Sequence, residues 1–325
     1  MKKKIIVLLT ILILMVVSGL YGILIGKRQS FPFRHLKSAK NYIFNVKTHW
    51  WAIGIYSGSS PFNIQATNKI KNPVLTAKDV TDIKAQFIAD PFLIKSDSLY
   101  NMFFEVYNLK TEQGDIGCAE SKDGYHWKYK KIIIDEPFHL SFPYVFKWES
   151  DYYLMPESHQ DLSVRLYKAT NFPTEWKYVG ELLKGYHFVD PQIAYYNNKW
   201  WLFVTTTEDD DLNLYYSDSL SGPWIQHPKS PLIKRNMHIA RGGGRILEYN
   251  GKLYRFTQDD YPSYGIQVFA FEITEITETS YKEKLISRQP IIGGSKSGGW
   301  NSLGMHNVDP IKIGDQKWIA AVDGI

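Results

Sequence analysis

The chain has 325 residues, 44% of them hydrophobic and 22% charged, which excludes a disordered or fibrous protein. Its net charge is +5, but Lys2, Lys3, Lys4, Lys27, Arg28 and Arg34 crowd around one apolar segment and the remainder is near neutral, so nothing calls for a nucleic-acid partner. A single cysteine, Cys118, excludes an internal disulfide.

The first predicted element is the apolar run from Ile5 to Ile25. At about 1.5 Å per residue it reaches about 30 Å, the thickness of a bilayer core. No small-residue cleavage site of the kind a signal peptide carries stands out, so an uncleaved anchor over residues 1–28 is expected, followed by a linker over 29–44. Basic residues lie on both sides of the run. The commoner arrangement for such an anchor gives a single-pass membrane protein with its main domain outside the cytoplasm.

Beyond residue 45 the chain repeats with a period of roughly 50 residues. Each unit opens with a short apolar strand. These are Ala89-Asp90-Pro91-Phe92, Ser141-Phe142-Pro143-Tyr144, Val189-Asp190-Pro191-Gln192, Gly243-Gly244-Arg245-Ile246 and Val308-Asp309-Pro310-Ile311. A polar turn and an aromatic second strand follow in each, which reads as a hairpin. Trp127, Trp176 and Trp224 close three units on the outside. Five such units without helical periodicity predict an all-β fold, a five-bladed β-propeller over residues 45–325, behind the one transmembrane helix. The chain stops soon after the second strand of the last unit. The segment from Trp50 to Tyr56 is therefore expected to complete that blade and tie the chain ends together.

The inner strand of each blade lines the axis, so residues at its start converge at one mouth. They are Asp90, Phe142, Asp190, Arg241 with Gly242 to Gly244, and His306 with Asp309. Glu105, Glu157 and Asp259 end second strands and are expected to flank the same mouth. Proline at a strand start is ordinary, but an aspartate beside it is costly near an axis unless it is paired or used. Carboxylates paired across a sugar are the equipment of glycosidic chemistry, one as acid and one as base or nucleophile. An aromatic content of 15% also suits stacking on pyranose faces.

These segments, with His49-Trp50-Trp51-Ala52, Leu154-Met155-Pro156-Glu157 and His306-Asn307-Val308-Asp309, resemble the arabinanase, levansucrase and invertase superfamily of five-bladed propellers, glycoside hydrolase family 43 in particular. More closely, residues 45–325 resemble the N-terminal propeller domain of glucosamine inositolphosphorylceramide transferases. The resemblance implies Asp90 as base, Asp190 as the residue that positions and tunes the acid, and His306 as holder of a central ion or water, with no other cofactor. It also implies a glutamate opening the fourth blade as acid, where this chain has Ala240-Arg241-Gly242. Glu157 is the expected substitute acid, and Arg241, Arg245, His306, Asp309, Glu105 and Asp259 are expected to bind substrate. Arg241 points to an anionic or phosphate-bearing sugar. The expected partners are a carbohydrate or glycolipid, the membrane, and a glycosyltransferase. The expected activity is glycoside hydrolysis or glycosyl transfer, with a non-catalytic glycan-binding accessory module as the alternative.

Overall fold

The computed structural model describes residues 50–207 and 210–325. The predicted anchor and linker, and with them the expected membrane topology, lie outside these residues. Among the described residues no helix is long and apolar enough to cross a membrane. The fold is all-β, interrupted by the short 3-10 turns Ala77–Asp79 and His159–Asp161.

Three sheets have four antiparallel strands each. The first comprises Ala85–Ser96, Leu99–Asn108, Gln113–Ser121 and Lys128–Ile134. The second comprises Ser141–Trp148, Asp151–Ser158, Ser163–Asn171 and Glu175–Lys184. The third comprises Phe188–Tyr196, Lys199–Thr206, Asp211–Ser217 and Ile225–Gln226. A nine-stranded sheet follows. One half is Gly242–Tyr249, Lys252–Asp259, Gln267–Ile276 and Tyr281–Leu285, with Ile292–Gly293 beside the third of these. The other is Val308–Gly314, Lys317–Gly324, Ala52–Ser60 and Asn63–Ala66. A single parallel bridge, Gly244 to Val308, joins the halves. A Cβ at Gly244 would sit 2.0 Å from the Val308 carbonyl oxygen, so only glycine admits this approach.

The hairpin turns explain the local folding. Asp97, Glu149, Asn197, Asn198, Asn250 and Gln316 all take positive φ. That is the left-handed geometry tight two-residue turns require, on residues that are mostly Asn, Asp or their polar relatives. As expected from sequence, the N-terminal strand Ala52–Ser60 pairs antiparallel with Lys317–Gly324, from Ala52 opposite Gly324 to Gly58 opposite Trp318.

The hydrophobic core is divided among the gaps between consecutive sheets. Phe92, Phe142, Tyr144 and Phe188 pack between the first three. Phe203 and Ile246 pack between the third and the next group. Phe256 and Val322 lie between the two halves of the large sheet, and Ile55, Ile319 and Phe104 return the packing to the first sheet. Inner strands are also stitched in sequence. The Phe142 N–H donates to Asp90 Oδ2 at 3.2 Å, the Tyr144 hydroxyl to the Ile193 carbonyl at 2.6 Å, and Gln192 Nε2 to the Gly244 carbonyl at 2.6 Å. Asn307 Nδ2 donates to the Pro91 carbonyl at 2.9 Å and closes the circuit. Sheets arranged in this way around an axis are propeller-like. Residues from Trp50 to Ile325 form one compact unit with its own core and both ends paired together.

Candidate functional site

Asp90, Phe142 and Asp190 have φ of 53°, 44° and 48°. Each precedes a proline, and each sits where the inner strand slips register against the second. Left-handed backbone costs a non-glycine residue roughly 1–2 kcal/mol. Its recurrence at bulges turns Asp90 and Asp190 out of the ladder toward the axis.

They face a cavity of about 200 Å3 at that end of the axis. Its acidic walls are Asp90, Glu105, Glu157 and Asp190, and its basic ones are His139, Arg241 and His306. Trp51, Phe87 and Tyr264 supply aromatic surface. The structure thus brings together six of the nine residues expected from sequence.

The other three stand elsewhere. Asp309, fully buried, and Arg245 form a two-pronged ion pair, in which Arg245 Nε contacts Oδ1 and Nη2 lies 2.7 Å from Oδ2. Arg245 Nη2 also donates to the Leu93 carbonyl at 2.7 Å, and the Leu93 N–H to Asp309 Oδ2 at 2.5 Å. This cluster ties three inner strands together on the axis and does not line the cavity. The reason is register: Asp309 pairs in its strand without the bulge that turns Asp90 and Asp190 toward the cavity. Asp259 is occupied by His238 at 2.9 Å and Gln267 at 2.8 Å. Its neighbour Asp260 faces Arg241 instead, with Nη1 and Oδ2 3.7 Å apart.

Each cavity carboxyl has its own surroundings. Asp90 Oδ1 lies 3.1 Å from His306 Nε2, while Asp323 Oδ2 lies 2.9 Å from His306 Nδ1. Asp323 also accepts the N–H groups of Asp90, His306 and Asn307. Burial alone would depress His306, but Asp323 and Asp90 outweigh it and hold the imidazolium well above the usual histidine range. The expected central ion has a related setting here. Asp90, His306 and Asp323 each offer an atom within 4.8 Å of the others. Both ring nitrogens already face carboxylates, so the imidazolium is itself the cation between them, and a metal ion fits only if His306 gives up its proton.

Glu157 is buried yet ionised. Its burial would raise the carboxyl, but His159, whose Nδ1 lies 2.7 Å from Oε1, together with the Arg241 charge, draws it down to about 2. Its other oxygen accepts the Asp190 N–H at 3.0 Å. Glu105 is the opposite case. Burial, then the charges of Asp90 and Glu157, push it well above the usual carboxylate range. Its nearest cation candidate, His139 Nε2, is 3.5 Å away. The other ring nitrogen of His139 accepts the Gly114 N–H at 2.8 Å, which leaves the proton of the neutral ring on Nε2, toward Glu105. Asp190 is likewise raised by burial, against the pull of Arg241. Its Oδ2 accepts Arg241 Nε at 2.6 Å and Gln258 Nε2 at 3.0 Å.

One consequence is testable by pH. Glu157 is lowered in the folded state, so its contribution is present above the ordinary glutamate value and is lost as pH falls through about 2. Chemical denaturation from pH 5 to 2 is expected to show Glu157→Gln losing less stability with acid than the wild type, by roughly 3 kcal/mol.

Sequence reasoning missed Trp51, Phe87, His139, Tyr264 and Asp323. Asp323 carried a usable signal, because it ends a second strand as Glu105 and Glu157 do. Trp51 and Tyr264 carried none. They come from a strand entrance and a loop, and meet on His306 with ring centres 4.1 and 5.1 Å from the imidazole.

Residues 46–325 match the family model described as glucosamine inositolphosphorylceramide transferase 1, N-terminal. The chain belongs to this family. It is 36% identical over 299 residues to glucosamine inositolphosphorylceramide transferase 1 of Oryza sativa subsp. japonica, covering 84% of this chain and 40% of that protein. The Arabidopsis thaliana protein of the same name is 34% identical over 297 residues, with 84% and 39% covered. The chain therefore spans about two fifths of these relatives. Among solved structures, the fold is similar to β-1,2-mannobiose phosphorylase from Listeria innocua, with a TM-score of 0.59, 14% identity, and 83% of this chain and 96% of that one covered. It is also similar to the catalytic domain of the Coprinopsis cinerea family 62 α-L-arabinofuranosidase, with a TM-score of 0.56, 10% identity, and 85% and 97% covered. At these identities the likeness concerns the fold, a propeller-like one shared with glycoside-active proteins.

Proposed function

We propose that the chain is a five-bladed β-propeller, tethered to a membrane by its N-terminal segment, whose axial cavity takes one saccharide unit of a glycolipid or surface glycan and cleaves or transfers its glycosidic bond. Three four-stranded sheets, with a nine-stranded sheet whose halves have four strands and four plus the short Ile292–Gly293, support the count of five. The names of the relatives and of the solved structures support the substrate class.

The observation that carries the reading is a pair of buried glutamates in one cavity with unlike partners: Glu157 Oε1 lies 2.7 Å from His159 Nδ1, which lowers that carboxyl, while Glu105 has only His139 at 3.5 Å and is raised by burial. Carboxyls split in this way are how one site holds an acid and an anion at the same pH. Glu105 is then the proton donor in place of Glu157, whose ionisation leaves it nothing to donate. As the glycosidic C–O bond breaks, Glu105 gives its proton to the departing oxygen. Asp90, held by His306 and the Phe142 N–H, takes the proton of the water or acceptor hydroxyl whose oxygen bonds to the anomeric carbon in place of the departing one. Glu157 remains charged and fixes the Asp190 backbone. Arg241 Nε donates to Asp190 at 2.6 Å and Nη1 lies 3.7 Å from Asp260, so its guanidinium is already engaged. That pairing argues against the anionic sugar expected from sequence.

A binding-only module is the second reading. Arg241 stands where the family-43 resemblance implies an acid, which favours it. Glycan-panel binding with product analysis, on wild type and Asp90→Asn, separates the two. Products that vanish in the variant support catalysis. Equal binding by both proteins with no products supports a lectin-like module. No binding at all would overturn both.

The aromatic floor offers a second check. A Cβ at Gly265, where φ is +68°, would lie 2.8 Å from His306 Cβ and 3.0 Å from the Trp51 ring. Gly265→Ala is expected to displace both rings and weaken saccharide binding roughly tenfold, about 1.4 kcal/mol, as read by titration calorimetry.

A further inference from the structure

The exposed apolar side chains are distributed unevenly. Trp50, Tyr186, Met237, Tyr261, Tyr264 and Leu303 are 41–61% exposed, and all six lie in loops or strand entrances at the cavity end of the axis. Leu109 and Leu162 are exposed at the same end. Their placement is fixed by local bonds. Trp50 stacks near Phe87 of the cavity wall, with ring centres 6.5 Å apart. The Leu303 N–H donates to the Ile325 carbonyl at 2.7 Å, and the Asp260 N–H to the Met237 carbonyl at 2.9 Å. Tyr261 packs on His238 at 5.3 Å. At the opposite end the turns are Asp97-Ser98, Glu149-Ser150, Asn197-Asn198, Asn250-Gly251 and Asp315-Gln316. Among the described residues the large hydrophobics exposed near that end are Tyr195, at 38%, and Ile225, at 51%, on the outer strand opposite Tyr216. Scattered exposed apolar residues need no explanation, but a crowding of them around one mouth marks an interaction surface.

A lipid surface is the occupant that fits. Tryptophan and tyrosine, with an apolar body and a polar tip, are the side chains that settle at a bilayer interface. Trp50 stands at this rim. The segment leading to it, residues 26–49, carries Lys27, Arg28, Arg34, Lys37, Lys40 and Lys47 and no acidic residue. Such a stretch suits anionic head groups, and it follows directly on the apolar run from Ile5 to Ile25. We infer that the mouth end of the propeller docks on a lipid surface, so that the axial cavity takes the head-group sugar of a glycolipid still seated in its bilayer. This rests on the saccharide reading of the cavity and on the membrane tether.

The test has two arms. In the first, the self-closed unit Trp50–Ile325 is sedimented with vesicles of phosphatidylcholine containing one fifth phosphatidylserine. Combined Trp50→Ser, Tyr186→Ser and Leu303→Ser are expected to lower partition at least tenfold, and Tyr178→Ser with Leu285→Ser on the outer strands to leave it unchanged. In the second, the full chain is reconstituted in the same vesicles with a spin label at Tyr186→Cys, Leu303→Cys or Tyr195→Cys. Cys118, which is 1% exposed, stays unlabelled. Labels at 186 and 303 are expected to be relaxed more by oxygen than by a water-soluble nickel chelate, and the label at 195 the reverse. Water accessibility at all three positions, or unchanged partition of the triple variant, overturns the inference, as does a rim that mediates self-association in sedimentation instead. Soluble-saccharide binding by the triple variant keeps the two readings apart. If it persists while vesicle docking is absent in every protein, only the docking fails. If it is absent in the wild type as well, the cavity reading fails too.

Discussion

Asp309→Ala is expected to lower the melting temperature by roughly ten degrees or more. The substitution leaves the Arg245 guanidinium on the axis with no counter-charge, beside the rings of Tyr144 and Phe92 at 5.7 and 6.0 Å. Removing one partner of a buried pair typically costs about 3–5 kcal/mol, because the remaining charge is left uncompensated. In a domain of this size each kilocalorie moves the melting point by about 2–4 °C. Replacing both partners with apolar residues, Arg245→Met with Asp309→Leu, removes the stranded charge and is expected to recover most of the loss. Thermal unfolding of the two single variants and the double variant gives the coupling directly. Additive losses would mean the pair does not hold the inner strands together.

Glu105→Gln is expected to reduce turnover by about 100- to 10,000-fold, the usual contribution of a positioned proton donor, while saccharide binding changes little. The amide keeps the shape of the side chain but has no acidic proton. Glu105 is raised in the folded protein, so its proton is present at low pH and is lost as pH climbs through that raised value. Wild-type activity is therefore expected to fall on the alkaline side, and this limb is expected to be missing from the residual activity of the variant. A variant with normal turnover, or one whose alkaline limb is unchanged, would assign the proton donor to another group.

Much of the fold was legible because a polar turn punctuates every unit and a proline opens four of the five. Asp90-Pro91, Phe142-Pro143 and Asp190-Pro191 mark strand starts, and those same residues adopt the left-handed bulges that aim at the axis. The pairing of Ala52–Ser60 with Lys317–Gly324 followed from the incomplete last unit. The site was legible only where it repeats. Asp309 looks equivalent to Asp90 and Asp190, but its strand pairs there without the bulge, so its carboxylate stays in the buried pair with Arg245 and does not reach the cavity. Asp259 ends its strand and Asp260 follows it, and of the two adjacent carboxyls it is Asp260 that faces Arg241. The acid proposed above differs from the one expected from sequence for another reason. Glu105 and Glu157 occupy matching strand ends, and what separates them is a histidine two residues after one of them and absent after the other. Charge state depends on neighbours in space, and sequence position does not reveal those. Trp51 and Tyr264 belong to no repeat, and only the closed ring brings them onto His306.

The most direct measurement is a crystal structure of the chain with the first saccharide that the panel identifies. The account predicts one sugar ring in the axial cavity, on Trp51 and Tyr264, with its glycosidic oxygen in hydrogen-bond reach of Glu105. A saccharide bound on the outer strands with the axial cavity empty would contradict it.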